Sequence, residues 1–79
     1  MHLVQVYGAG CPRCRETADV IEKTAEKLGA EIFLEKVTDL GKITDRGILQ
    51  TPGVAVDGII VSQGKIPTEE DVTGWLGGD

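Results

Sequence analysis

The chain has few of the residues on which several classes of protein depend. Its 79 residues include 8 Lys or Arg against 13 Asp or Glu, a formal net charge of −5. Nucleic-acid binding needs clustered basic side chains, and the sequence contains no such cluster. No apolar stretch approaches the roughly 20 residues that cross a bilayer. The sequence therefore argues against a nucleic-acid partner and against a membrane partner.

Aromatic and cysteine residues are also scarce. Tyr7, Phe33 and Trp75 are the three aromatic residues, and Cys11 and Cys14 are the two cysteines. The N-terminal sequence shows no basic segment or cleavage site typical of a secretory signal. We therefore expect a cytoplasmic protein, where a single cysteine pair is more often redox-active than structural.

The apolar pattern predicts one α/β domain that spans residues 1–79. Strands are predicted at 3–7, 32–37, 54–56 and 59–62, and helices at 12–28, at 39–46 and after Thr68. Asp57-Gly58 separates the last two strands and is typical of a type I′ hairpin turn. Thr68 and Asp71 approximate a capping box. Thr38 or Asp39 is expected to cap the short second helix.

Apolar residues of the first helix recur at steps of four and three, which places them on one face. They are Cys14, Ala18, Ile21, Ala25 and Leu28. Cys14 is therefore expected on the core side, whereas Cys11 precedes the stripe at the helix tip and faces solvent. Farther along the chain, the residues expected to reach the core are Leu40, Ile43, Ile48, Leu49, Val72, Trp75 and Leu76.

Two thiols one helical turn apart are compatible with a redox couple, a metal-binding site or a cysteine pair with no chemical role. Zinc usually takes four ligands, and the one histidine, His2, lies at the other end of the first strand. Copper(I) is soft enough to be held by two thiolates. A helix N-terminus lowers the pKa of a nearby thiol, which favours Cys11 as a nucleophile.

The order β-α-β-α-β-β-α resembles the minimal thioredoxin/glutaredoxin fold, and in particular the small thioredoxin-like redox-active disulfide proteins of archaea and bacteria. The resemblance rests on two segments, 7–14 with Cys11-Pro12-Arg13-Cys14 and 51–58 with Thr51-Pro52. It implies a four-stranded mixed sheet in the order 2-1-3-4, with helices on both faces. Small heavy-metal-binding domains share the C-x-x-C position but end in a strand, so a metal carrier is the alternative.

The resemblance also implies a thiol–disulfide oxidoreductase that reduces protein disulfides. Cys11 is then the nucleophile and Cys14 the resolving thiol, while Pro12 and Arg13 tune the redox potential. Pro52 is expected to follow a cis peptide bond beside the disulfide, and Thr51 to offer backbone groups to an extended substrate peptide.

The implied partners are disulfide-containing target proteins and an upstream reductase, and the protein is expected to act as a monomer. No cofactor is implied beyond the Cys11–Cys14 disulfide. A module that binds a partner in only one redox state is a further alternative to catalysis.

One departure from the family pattern concerns the proton of the resolving thiol. Thioredoxins place a buried aspartate six residues before the first cysteine, and Gln5 occupies that position here. An amide does not accept a proton as a carboxylate does. Glu35 and Asp39 are candidate acceptors if they approach Cys14, but the sequence favours a solvated strand position for Glu35 and a helix-cap role for Asp39.

Overall fold

The computed structural model describes residues 1–10 and 12–77, in which four strands and three helices follow the predicted order. The strands are β1 (His2–Tyr7), β2 (Ile32–Val37), β3 (Gly53–Val56) and β4 (Ile59–Gln63). The helices are α1 (Pro12–Leu28), α2 (Leu40–Asp45) and α3 (Glu69–Leu76). Within the described residues, no helix is both long enough and apolar enough to cross a membrane.

The strands form one mixed sheet in the order β2-β1-β3-β4, as expected. β1 and β2 are parallel, because α1 connects them across the sheet. β3 is antiparallel to β1 and forms a hairpin with β4. β1 is therefore an interior strand, and its C-terminal end leads directly to the cysteine motif.

One face of the sheet is covered by α1 and α3, which pack against each other. Its buried apolar cluster consists of Val4, Val6, Ile21, Ala25, Val54, Val56, Val72 and Leu76. The predicted helical stripe is buried at Cys14, Ala18, Ile21 and Ala25. The prediction for Leu28 is wrong, since this side chain is 40% exposed. Leu28 is the last residue of α1 and lies beside Gly77, where α3 has already ended.

The other face carries α2 and a smaller apolar cluster of Tyr7, Ile43, Ile48 and Ala55. Two inward predictions are wrong here: Leu40 is 66% exposed and Leu49 is 90% exposed. The six-residue α2 buries Ile43, while Leu40 stands at its first position. The backbone N–H of Leu49 donates to Oε1 of Gln63 at 3.1 Å, which ties this segment to the end of β4 and leaves the leucine side chain outside.

The capping and turn predictions are confirmed. Asp39 caps α2, and the Thr68 and Asp71 side chains make both bonds of the capping box at 3.1 Å. Asp57 and Gly58 have φ of 51° and 87°, as the predicted turn requires. These features depend on near neighbours in the chain, so the sequence was sufficient to predict them.

Candidate functional site

The described part of the cysteine motif, from Pro12 to Cys14, forms the first turn of α1. Cys11 lies outside the described residues, so its predicted role as nucleophile stays a prediction. Pro12 is exposed at the first position of α1, where its missing N–H removes no hydrogen bond. Cys14 is 7% exposed, which leaves its thiol on the protein side of the helix.

The buried thiol packs directly on the backbone of Gly8. A Cβ placed on Gly8 would collide with Sγ of Cys14 and would lie 3.3 Å from Cβ of the same residue. It would also lie 3.8 Å from Cβ of Thr51. The N–H of Gly8 donates to the carbonyl of Val37 at 2.9 Å, which holds this backbone in place. Cys14 and Thr51 therefore both lie beside Gly8.

Thr51 and Pro52, the predicted substrate-binding residues, directly precede β3. Their peptide bond is cis. Thr51 is exposed and Pro52 is fully buried, so this segment presents its threonine outward while its proline packs inside. The structure thus brings Cys14 and the Thr51–Pro52 segment together around Gly8.

A small cavity of about 40 Å³ adjoins Cys14. Its lining is Val6, Gly8, Gly10, Cys14, Arg15, Lys36 and Thr38. Lys36 pairs with Val6 across the parallel strands and shares its sheet face, which directs it toward α1. Among the described residues, two cationic side chains and no carboxylate therefore border this cavity. The volume is sufficient for about one water molecule.

The Arg13 side chain reaches a distant part of the chain, and its predicted tuning role stays a prediction. Its Nη2 donates to the carbonyl of Gly64 at 3.0 Å, in the loop after β4. The N–H of Gly64 in turn donates to the carbonyl of Pro52 at 3.0 Å. Sequence analysis did not identify Gly64, because its partners are distant along the chain.

Gln5 lies on the sheet face opposite α1, with Tyr7. Its Nε2 donates to Oε1 of Glu35 at 2.8 Å, and its Oε1 accepts from the Tyr7 hydroxyl at 3.0 Å. Asp39 is occupied as the cap of α2, accepting from the N–H of Gly41 at 2.8 Å. Neither carboxylate candidate, Glu35 or Asp39, is among the described residues that line the Cys14 cavity.

The Gln5 side chain borders an open cleft of about 320 Å³. Its lining is Gln5, Tyr7, Glu35, Val37, Lys42, Asp45 and Arg46. The Arg46 guanidinium lies 5.9 Å from the centre of the Tyr7 ring and donates to the carbonyl of Gly58 at 2.9 Å. Tyr7 is only 3% exposed, so it is a core residue that also covers this face of the sheet.

The turn end of the sheet carries a second polar contact, remote from Cys14 along β1. Nδ1 of His2 lies 2.6 Å from Oδ2 of Asp57, and the N–H of Leu3 donates to Oδ1 of Asp57 at 2.9 Å. The bond with His2, followed by that from Leu3, lowers the pKa of Asp57 below its usual value. His2 is thus bound to Asp57 at the turn. Across residues 1–10 and 12–77, no group of three or more His, Cys, Asp or Glu is placed to hold a metal ion.

Known proteins resemble this chain over nearly its whole length. A family model described as a thioredoxin domain matches residues 2–77. A thioredoxin of Methanocaldococcus jannaschii is 40% identical over 72 residues, which cover 91% of this chain and 83% of the relative. A thioredoxin of Methanothermobacter thermautotrophicus is 29% identical over 72 residues, covering 91% of this chain and 94% of that protein.

Proposed function

The chain belongs to the thioredoxin family of thiol–disulfide oxidoreductases, and we propose that it reduces protein disulfides through a Cys11–Cys14 dithiol/disulfide couple. The observation that carries this proposal is the position of Cys14. Its thiol is buried against Gly8 in the first turn of α1, beside an exposed Thr51. A buried thiol is poorly placed to attack a bulky substrate, but well placed to attack a neighbouring sulfur.

In the proposed reaction, the Cys11 thiolate attacks one sulfur of the target disulfide. A mixed disulfide forms, and the other target sulfur leaves as a thiolate that takes up a proton. The Cys14 thiolate then attacks the sulfur of Cys11, which forms the Cys11–Cys14 disulfide and releases the second target thiol. Two electrons pass to the target, and an upstream reductase returns two electrons and two protons.

Cationic side chains support the second step in place of a carboxylate. Arg15 and Lys36 border the Cys14 cavity, and nearby positive charge favours a thiolate over a thiol. We propose that a water molecule in this cavity carries away the Cys14 proton. Gln5 stands where thioredoxins have a proton-accepting aspartate. The proposed step needs no acidic side chain at that position, because positive charge stabilises the Cys14 thiolate.

The exposed Thr51 supports a binding role for the segment before β3. We propose that Thr51 and Pro52 accept the backbone of an extended peptide that carries the target disulfide.

A monomer is sufficient for this chemistry, and the thiol pair needs no further cofactor. We assign the protein to the cytoplasm, where a lone cysteine pair of this kind is kept reduced and available.

The decisive experiment traps the intermediate. Cys14→Ser is expected to stall as a mixed disulfide with its targets, which nonreducing electrophoresis detects, whereas Cys11→Ser traps nothing. The wild-type couple is expected to titrate as a two-electron transition toward the reducing end of the known range, about −270 mV. Absence of both trapping and cycling would refute the proposal. In that case, stoichiometric binding of copper to the reduced protein would identify a metal carrier, and a partner held in one redox state would identify a signalling module.

A further inference from the structure

Gly64 connects two segments of the site that are far apart in sequence. Its N–H donates to the carbonyl of Pro52, and its carbonyl accepts from Nη2 of Arg13, each at 3.0 Å. One residue of the loop after β4 therefore bridges the first turn of α1 and the start of β3.

The backbone conformation of Gly64 and its close neighbours restrict its position. Gly64 has φ of 74°, a conformation that favours glycine. A Cβ at this position would collide with Oε1 of Gln50 and would lie 3.0 Å from its Cβ. Gln63, the preceding residue, accepts from the N–H of Leu49 at 3.1 Å. The loop after β4 is thus held against the segment before Pro52 by packing and by hydrogen bonds.

Arg13 completes this arrangement from the side of the cysteine motif. Its side chain is exposed, and its Nη2 is directed to a neutral backbone carbonyl. A guanidinium has rigid, directional N–H donors. It therefore fixes the distance between the groups that it joins, in addition to supplying a positive charge. This bond spans 51 positions of the chain. Through Gly64 it links the first turn of α1 to the Thr51–Pro52 segment, to which the proposed function assigns the substrate peptide.

We propose that Arg13 is a positioning residue: through Gly64 it sets the gap between the Cys11–Cys14 motif and the Thr51–Pro52 segment, and so favours disulfides carried on extended peptide over small disulfides. The proposal rests on the disulfide reductase function above. It differs from a tuning role, because the effect of Arg13 lies in substrate fit. The redox potential of the cysteine pair stays nearly constant when Arg13 is replaced.

The test compares Arg13→Met with Arg13→Lys and with a control, Lys23→Met, which removes the same charge from an exposed position of α1. Each protein is assayed with insulin and with bis(2-hydroxyethyl) disulfide, and its midpoint potential is measured. Arg13→Met should raise KM for insulin about fivefold, the factor that corresponds to one net hydrogen bond of about 1 kcal/mol. Its activity toward the small disulfide should stay within about twofold. Arg13→Lys should recover part of the loss, and the control should match the wild type.

A readout independent of turnover is hydrogen exchange at the amide of Gly64, which donates to Pro52. Exchange at this amide should accelerate in Arg13→Met, because Gly64 then loses one of its two hydrogen bonds, the one with Arg13. A shifted potential with equal losses on both substrates would overturn the positioning role in favour of tuning. Unchanged KM and unchanged exchange would also overturn it. Failure of the proposed function looks different, since the wild type would then reduce neither substrate.

Discussion

The two ends of strand β1 are built on different principles. At the motif end, the backbone of Gly8 lies against Sγ of Cys14, with Thr51 close by. At the turn end, His2 and Leu3 bind the carboxylate of Asp57 through hydrogen bonds in an exposed position. The same strand, which pairs with β3 from Val4 to Tyr7, joins these two ends.

The difference shows where the molecule tolerates change. The contact of Sγ of Cys14 with the backbone of Gly8 leaves no room for a Cβ on Gly8. Exposed hydrogen bonds are exchangeable with water, so each contributes little to stability. The end to which we assign the chemistry is therefore also the end that tolerates an added side-chain atom least.

The largest effect is expected for Gly8→Ala. The added Cβ collides with Sγ of Cys14, so either the thiol or the strand has to move, at a cost of about 1–3 kcal/mol. Urea unfolding should show the loss of stability, and insulin reduction should slow because Cys14 is displaced.

Gly74→Ala is the control for this change. Gly74 lies in α3, and among the described residues an added Cβ there would meet no heavy atom within 4 Å beyond its own helix backbone and chain neighbours. Alanine should therefore stabilise the helix by about 1 kcal/mol. If Gly8→Ala were as stable and as active as the wild type, the close contact would have no role at the motif end.

A smaller effect is expected for Gly58→Ala at the turn end. An added Cβ here would meet no described atom within 4 Å, but φ of 87° disfavours alanine, at a cost of about 1 kcal/mol. Gly58→Asn should lose less, since asparagine tolerates this region of backbone conformation. Thermal unfolding measures both variants. Insulin reduction should be unchanged, and a marked loss of activity would show that the two ends are coupled.

The smallest effect is expected for Asp57→Asn, and it should depend on pH. The native pKa of Asp57 is lowered, so its carboxylate stabilises the fold above the pKa of the unfolded chain. That stabilisation is lost as the pH falls through the lower native pKa. The wild type should exceed the variant in unfolding midpoint at pH 7, and the difference should vanish in strong acid. Asp19→Asn, an exposed change in α1, should show no such trend, and a difference that persisted in acid would refute the role of the carboxylate.

Features that depend on near neighbours in the chain were predictable. The repeat of apolar residues placed Cys14 and Ile21 on the buried face of α1, and the caps at Asp39 and Thr68 began their helices as expected. The inward predictions for Leu40 and Leu49 failed, because apolar character alone does not show whether the sheet extends far enough to cover a side chain.

The sequence by itself determined the order of strands and helices, the Asp57-Gly58 turn and the burial of Cys14, since periodicity, capping and turn chemistry act over a few residues. Only the tertiary structure decided which groups surround that thiol. The approach of Gly8, the placement of Lys36 at the Cys14 cavity and the bond from Arg13 to Gly64 all join distant parts of the chain. Such contacts follow from strand pairing and helix packing across the whole sheet, which no local pattern encodes.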